Sequence, residues 1–246
     1  MKLFSRQGLF PWFPLLTGMA GLALRFWLLS TINEQGLLPS NHIAGILTFL
    51  LLLVTLGVCF WDIRTAAPSQ AYRKLFPPSK IAAAGTAVGA AGMGISAFIV
   101  NAAGFLRILL PILGVLGAAA LLYAAHCRRI GLRPSCLLHG GVTLFLVFRV
   151  LVCCRMWGAE PQLQLYFFQL LSSLFLLLAC YFRAEADALI GDYRKYLFFG
   201  QAALFCCCLC LSGNDWLFYL AAGIWMATDY CVFPANRYET QDDDTV

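Results

Sequence analysis

Long apolar stretches separated by short polar linkers constrain the fold of this chain more than any other feature. A hydrocarbon core of roughly 30 Å is crossed by about 20 mostly apolar residues in a helix. In lipid every backbone amide needs an internal partner, and unbroken apolar runs meet that need as helices rather than as alternating barrel strands. We therefore predict an all-α polytopic membrane protein with about eight transmembrane helices.

Windows of this length divide the chain into eight predicted spans. They cover Leu9–Ser30, Ile43–Trp61, Ile81–Ala102, Phe105–His126, Cys136–Met156, Leu163–Phe182, Tyr196–Ser212 and Trp216–Phe233. The seventh span is the shortest, so an arrangement with seven crossings is the alternative. Residues 1–233 are predicted to form a single transmembrane domain, followed by a polar acidic cytoplasmic tail at residues 234–246.

The basic residues fall almost entirely on one side of these spans. With eight crossings and a cytoplasmic N-terminus, 13 of the 17 Lys and Arg residues lie in cytoplasmic segments. The outside loops carry only the acidic residues Glu34, Glu160 and Asp215. Because short cytoplasmic loops are rich in Lys and Arg, both termini are predicted to be cytoplasmic, and a bacterial inner membrane fits the pattern. The net charge of +5 then reflects topology and not nucleic-acid binding.

A constant offset between similar segments indicates an internal duplication. Residues 59–61 resemble residues 180–182, and residues 72–74 match residues 193–195, both at an offset of 121. Coincidence is the alternative, because aromatic and basic residues collect at cytoplasmic helix ends in general. A duplication would give two parallel four-helix repeats. These repeats would cover residues 1–125 and 126–233.

Small residues in two spans are interpreted as helix-packing positions. Gly85 and Gly89 form a GxxxG pair in the third span, and such faces let helix backbones approach closely in lipid. At the 121-residue offset they align with Cys206 and Cys210 of the seventh span, so packing is expected there too. A thiolate site for a soft metal such as Cu(I) is the alternative, although no histidine lies at a ligand spacing. Neither a disulfide framework nor a cofactor is expected.

Four arginines inside or at the edge of the predicted spans are candidate ligand-binding residues. They are Arg25, Arg149, Arg107 and Arg155. Ionisable residues within a membrane are functional candidates, and guanidinium groups bind phosphate or carboxylate through two parallel hydrogen bonds. We hypothesise that the four form a cationic zone on the outer side of the bundle. The structural alternative pairs Arg25 and Arg149 with Glu34, Glu160 or Asp215.

Two histidines and an aspartate form a weaker candidate set for proton relay. His126, His139 and Asp229 lie near the cytoplasmic ends of three spans, and histidine titrates near neutral pH. The alternative is that each makes hydrogen bonds at the membrane interface. The nearby acidic run is interpreted as a solvated loop with local ion pairs. It consists of Glu185, Asp187 and Asp192.

The sequence contains no HExxH, Walker A or GxSxG motif, so an enzyme is the less favoured class. Ser96 in the glycine-rich third span is expected to bond the carbonyl four residues earlier. We expect a permease-like handler of a small anionic solute or lipid head group, embedded in the lipid bilayer and binding no nucleic acid. A non-catalytic scaffold or accessory subunit with a membrane protein partner is the alternative.

Overall fold

The computed structural model describes residues 12–31, 42–65, 76–100, 104–157, 163–190 and 192–232. These ranges contain eight α-helices and no strand. The helices are α1 Trp12–Ser30, α2 Ile43–Thr65, α3 Lys80–Ile99, α4 Leu106–Ile130, α5 Cys136–Trp157, α6 Leu163–Asp187, α7 Tyr193–Cys210 and α8 Trp216–Val232. The all-helical prediction is therefore confirmed for the described part of the chain. Glu34, Glu160 and the acidic tail lie outside it.

Six helices, α1 to α6, are long and apolar enough to cross a membrane, as expected of a multi-pass membrane protein. The other two are shorter, with 18 residues in α7 and 17 in α8. Every residue of α7 from Gly200 to Cys210 is buried by the protein itself. A helix enclosed in this way has no need of a continuous apolar face toward lipid.

Helix α2 extends past its predicted end at Trp61 to Thr65, and α4 and α6 likewise extend past their predicted ends. The apolar windows end at His126 and Phe182, but α4 continues to Ile130 and α6 to Asp187. The turns added to α4 and α6 carry three charged side chains that are buried in ion pairs, Arg128, Arg183 and Asp187. Hydropathy alone therefore ended both helices too early.

Six helices form a closed ring. Each of α3 to α7 packs against the next helix in the chain, and α8 closes the ring by packing against α3. Helices α1 and α2 lie outside the ring, where both pack against α7 and against each other. Helix α7 consequently packs against two other ring helices, α6 and α8, and against the two helices outside the ring.

The two proposed repeats differ in their helix contacts. Helices α5 and α6 belong to the ring, whereas α1 and α2, which a duplication would align with them, lie outside it. The internal duplication therefore stays a prediction.

The closing contact between α3 and α8 is a seam of small residues. A Cβ atom added at any of three glycines of α3 would overlap a side chain of α8. The pairs are Gly85 with Thr228, Gly89 with Trp225 and Gly92 with Ala221. The two helices run in opposite directions here, and backbone contact this close is what small faces permit in a membrane.

The cysteines of α7 are packed in the interior. Cys206 and Cys210 are fully buried, and Cys208 lies against Gly18 of α1. Cys207 Sγ lies 3.3 Å from Ser172 Oγ of α6. All eleven cysteines are free thiols. Among the described residues, no three His, Cys, Asp or Glu side chains are grouped so that they could hold a metal ion.

Candidate functional site

Two groups of buried charged residues lie inside the ring, one at each end. We call the first the Arg149 cluster, which consists of Arg149, Ser96, Asp215 and Phe218. We call the second the Asp229 cluster, which consists of Asp229, Arg128, Arg183, Asp187, His139 and Tyr196. Because charge is costly to bury, a buried charge is normally paired, and both clusters contain ion pairs between arginine and aspartate.

Arg149 extends across the ring from α5. Its side chain is fully buried, although its own helix packs mainly against α4 and α6. The guanidinium donates from Nη1 to Ser96 Oγ at 3.4 Å and from Nη2 to Asp215 Oδ2 at 3.2 Å. Its Cζ atom lies 3.8 Å from the centre of the Phe218 ring. One side chain thus connects α5 with α3 and with the start of α8.

Ser96 is the α3 partner of Arg149. Its hydroxyl donates to the carbonyl of Met93 at 2.9 Å, three residues earlier in α3. The bond is local, as expected, but its acceptor lies three residues earlier and not the expected four. The serine oxygen also accepts from Arg149, so Ser96 holds the guanidinium by means of its own backbone anchor.

Arg25 is buried at the same end but outside the ring. Its Nε donates to Ser212 Oγ at 2.9 Å, and its Cζ lies 5.4 Å from the centre of the Phe168 ring. Ser212 and Asp215 belong to the turn between α7 and α8, so Arg25 and Arg149 hold the same turn from two sides. Of the acidic partners named from the sequence, the structure pairs Asp215 with Arg149.

Arg107 and Arg155 are placed differently from the other two candidate arginines. Both are exposed near helix ends, Arg107 at the start of α4 and Arg155 at the end of α5. The structure therefore brings only Arg25 and Arg149 to the α7–α8 turn.

The Asp229 cluster lies at the opposite end of the ring. Asp229 Oδ1 lies 3.5 Å from Arg128 Nη2 of α4, and Asp229 Oδ2 lies 3.3 Å from Arg183 Nη1 of α6. The hydroxyl of Tyr196 at the start of α7 donates to the same Oδ2 atom. The carboxylate of α8 therefore connects α4, α6 and α7, and the contacts with Arg128 and Arg183 cross the ring.

His139 joins this cluster through Asp187. Its Nδ1 atom lies 2.6 Å from Asp187 Oδ2, and Arg183 Nε lies 3.5 Å from Asp187 Oδ1. Only 1% of Asp187 is exposed, so its interpretation as part of a solvated loop was wrong. Tertiary ion pairs bury it, whereas Asp192 is exposed and caps α7 through a 3.0 Å bond from Arg194 N. His126 is exposed and does not join the cluster.

An aromatic residue in the segment before α3 covers the arginines of this cluster. The ring centre of Phe76 lies 3.5 Å from Arg183 Cζ and 5.2 Å from Arg128 Cζ. Sequence reasoning missed Phe76, Arg128, Arg183 and Tyr196 as site residues. One available signal was the four-residue spacing of Arg183 and Asp187, which puts opposite charges on one face of a continuing helix.

An apolar layer separates the two clusters. Met93, Phe145, Leu146 and Met226 are fully buried in the helix segments between them. His139 and Arg149 are ten residues apart on α5, which corresponds to roughly 15 Å along the helix axis. The interior of the ring is thus filled by charged side chains at the Arg149 cluster and at the Asp229 cluster, and by apolar side chains between the two clusters.

The chain matches no family model, no curated protein and no solved structure. Arguments about its activity therefore depend on the two clusters and on the surfaces around them.

Proposed function

We propose that the protein is a permease with eight crossings that handles a small anionic solute or a lipid head group. The supporting observation is the pair of ionic contacts across the ring, one from Arg149 to Asp215 and one from Arg128 and Arg183 to Asp229. Charged residues are rare within membranes and mark substrate pathways there. Helix packing alone would not require them at both ends of one ring.

The two cross-ring contacts are suited to act as gates. A permease exposes its site to one side of the membrane at a time, so each end must close independently. Ion pairs that cross the ring join helices that are not sequence neighbours, and their separation would open that end. In this proposal the structure represents a state closed at both ends, with Arg149 and Arg25 nearest the entry of the anion.

We further propose that the Asp229 end faces the cytoplasm and that both termini lie there. Among the described residues, most basic side chains belong to helix ends or turns on this side. They include Lys80, Arg128, Arg129, Arg133, Arg183, Arg194 and Lys195. The excess of positive charge favours the cytoplasmic face of a plasma membrane, and a bacterial inner membrane is the proposed location.

Uptake by reconstituted vesicles tests this proposal. Purified protein in phosphatidylcholine vesicles is supplied with radiolabelled inorganic phosphate, acetate, succinate or glycerol 3-phosphate. We expect saturable uptake of at least one anion, lost in Arg149→Gln and retained in Arg133→Gln, which removes an exposed charge at the other end. Uptake at the level of protein-free vesicles for all four anions would contradict a permease for free solutes.

The lipid form of the proposal needs its own measurement in the same vesicles. A fluorescent phosphatidylglycerol placed in the inner leaflet becomes accessible to dithionite when it reaches the outer leaflet. Faster exposure than in protein-free vesicles, again dependent on Arg149, would support handling of a lipid head group. Failure of both assays would leave the scaffold as the better proposal.

One surface favours the scaffold alternative. Helices α1 and α2 form an apolar groove of about 740 Å³ that is open to the side. Ala20 and Ala23 of α1 make room for it beside Leu47, Leu50 and Val54 of α2. A lateral groove of this kind could receive a helix of another membrane protein. Filling it by Ala23→Leu would then weaken association with that protein, whereas a permease would keep its uptake.

A further inference from the structure

Within the described part of the chain, only one of the two donors on one edge of the Arg149 guanidinium has a hydrogen-bond partner. The guanidinium has one edge formed by Nε and Nη2, which can bind two oxygens of one oxyanion through parallel hydrogen bonds. Asp215 occupies only the Nη2 position, at 3.2 Å. Among the described residues, Arg149 Nε has no hydrogen-bond partner, although the side chain is fully buried. A buried donor without a partner carries a desolvation cost that a better-placed oxyanion would remove.

The partners of Arg149 differ in how firmly they are held. Ser96 is buried within α3 and bonded to its own helix backbone, and Phe218 is buried at the start of α8. Asp215 lies in the turn between α7 and α8, and 24% of its side chain is exposed. Asp215 is therefore the partner that can leave while the guanidinium stays positioned by Ser96 and the Phe218 ring.

We propose that Asp215 is a built-in competitor for the ligand, and that a carboxylate or phosphate group replaces it on the Nε–Nη2 edge of Arg149. This inference rests on the proposed function and specifies how its anion is recognised. The incoming group needs two oxygens on one carbon or phosphorus atom, because the edge offers two parallel donors. The exchange leaves the guanidinium paired with an anionic group, and it releases the α7–α8 turn from Arg149.

Competition predicts that removing the Asp215 charge strengthens anion binding. The apparent dissociation constant of a ligand rises when its site is occupied by an alternative partner. In Asp215→Asn the site is free of that competing carboxylate, so we expect a dissociation constant about tenfold lower than in the unmodified protein. A purely structural ion pair predicts the opposite, because its loss loosens the site and weakens binding.

The test is isothermal titration calorimetry of the protein in phosphatidylcholine nanodiscs, with acetate and with inorganic phosphate at matched ionic strength. The control is Asp192→Asn, which removes an exposed carboxylate at the other end and keeps a side chain that can cap α7. Arg149→Lys in the Asp215→Asn background keeps the positive charge but removes the two-donor edge, so the tighter binding should disappear. If Asp215→Asn does not fold, Asp215→Ser serves the same purpose.

A separate arm distinguishes a free anion from a lipid phosphate. The melting temperature of the Asp215→Asn protein is compared in phosphatidylcholine and phosphatidylglycerol nanodiscs without added anion. A larger stabilisation by phosphatidylglycerol than in the unmodified protein, abolished by Arg149→Lys, would identify the lipid phosphate as the occupant. A tighter calorimetric constant for acetate or phosphate would identify a free anion.

The inference is overturned if Asp215→Asn and Asp215→Ser bind no anion more tightly than the unmodified protein and gain nothing from phosphatidylglycerol. It is also overturned if Arg149→Lys keeps the tighter binding. Uptake by the unmodified protein together with unchanged binding in Asp215→Asn would reject the competitor role and leave the permease intact. Absence of both uptake and binding would reject the two proposals together.

Discussion

His139 Nδ1 and Asp187 Oδ2 are 2.6 Å apart and join the start of α5 to the end of α6 in the ring interior. The same carboxylate faces Arg183 through its other oxygen, so it connects a histidine and an arginine that lie 44 residues apart in the chain. Asp187 thereby joins α5 to α6. Through Arg183 it is also connected to Asp229, which pairs with the same arginine.

Replacing Asp187 by asparagine should destabilise the protein by about 3 kcal/mol, because breaking a buried ion pair leaves charge with weaker compensation. Thermal unfolding of the purified protein in detergent would measure the loss. Asp192→Asn is the matched control and should change stability by less than about 0.5 kcal/mol, because Asp192 is exposed and asparagine is an equally good helix cap. Equal effects of the two substitutions would mean that Asp187 is not held in the buried cluster.

Asp215 and Asp229 both pair with arginines from across the ring, but their loss should affect stability to different degrees. Asp229 is buried and faces Arg128, Arg183 and Tyr196, so Asp229→Asn is expected to cost about 3 to 5 kcal/mol. Asp215 is partly exposed, and Asp215→Asn should cost clearly less. Denaturant unfolding of both variants in the same detergent checks the order. The reverse order would refute the placement of Asp229 in the ring interior.

The partners of Asp229 offer a second check. If Arg183 and Asp229 compensate each other, the double variant Arg183→Gln with Asp229→Asn should be more stable than the sum of the single losses predicts. A coupling energy of about 1 kcal/mol or more is expected for groups in direct contact. Additive losses would show that the two side chains do not interact in the folded protein.

Much of the helix pattern follows from composition, because about 20 apolar residues form a helix in lipid whatever their tertiary neighbours are. The helix ends at Ile130 and Asp187 do not follow from composition, because a charged helical turn has the same sequence whether it is solvated or buried. The partners of Asp229 lie 33 to 101 residues away in the chain. Only the ring brings them together. Arg149 stands out in the sequence because its charge lies well inside an apolar run. Phe76 does not stand out, because aromatic residues are common near helix ends.

The α3–α8 seam predicts a contrast between two glycines. Gly85→Ala places a Cβ atom on Thr228 and should destabilise the protein by about 1 to 3 kcal/mol, as expected for an overpacked interior. Gly140 of α5 has no atom within 4 Å of the corresponding position. Gly140→Ala should therefore be neutral or stabilising by up to about 1 kcal/mol through helix propensity. Melting temperatures of both variants measure the contrast, and equal shifts would exclude close contact at Gly85.

Two exposed thiols allow the proposed orientation to be measured. Cys154 lies near the end of α5 on the Arg149 side, and Cys231 lies near the end of α8 on the Asp229 side. A membrane-impermeant maleimide added to intact cells should label Cys154 and leave Cys231 unmodified. The label should then be lost in Cys154→Ser and kept in Cys231→Ser. The opposite dependence would place the Asp229 end outside the cell.

The closing contact of the ring has a consequence for biosynthesis. Helix α3 is made early, but the helix that covers Gly85, Gly89 and Gly92 is the last of the described chain to leave the ribosome. Until α8 is made, the α8 side chains that cover these glycines are absent, and the small-residue face of α3 lacks its partner. Helices α1 and α2 likewise pack against α7, which is made after them. The ring therefore cannot close before α8 is made, and a chain that stops before Trp216 would lack the contact that closes it.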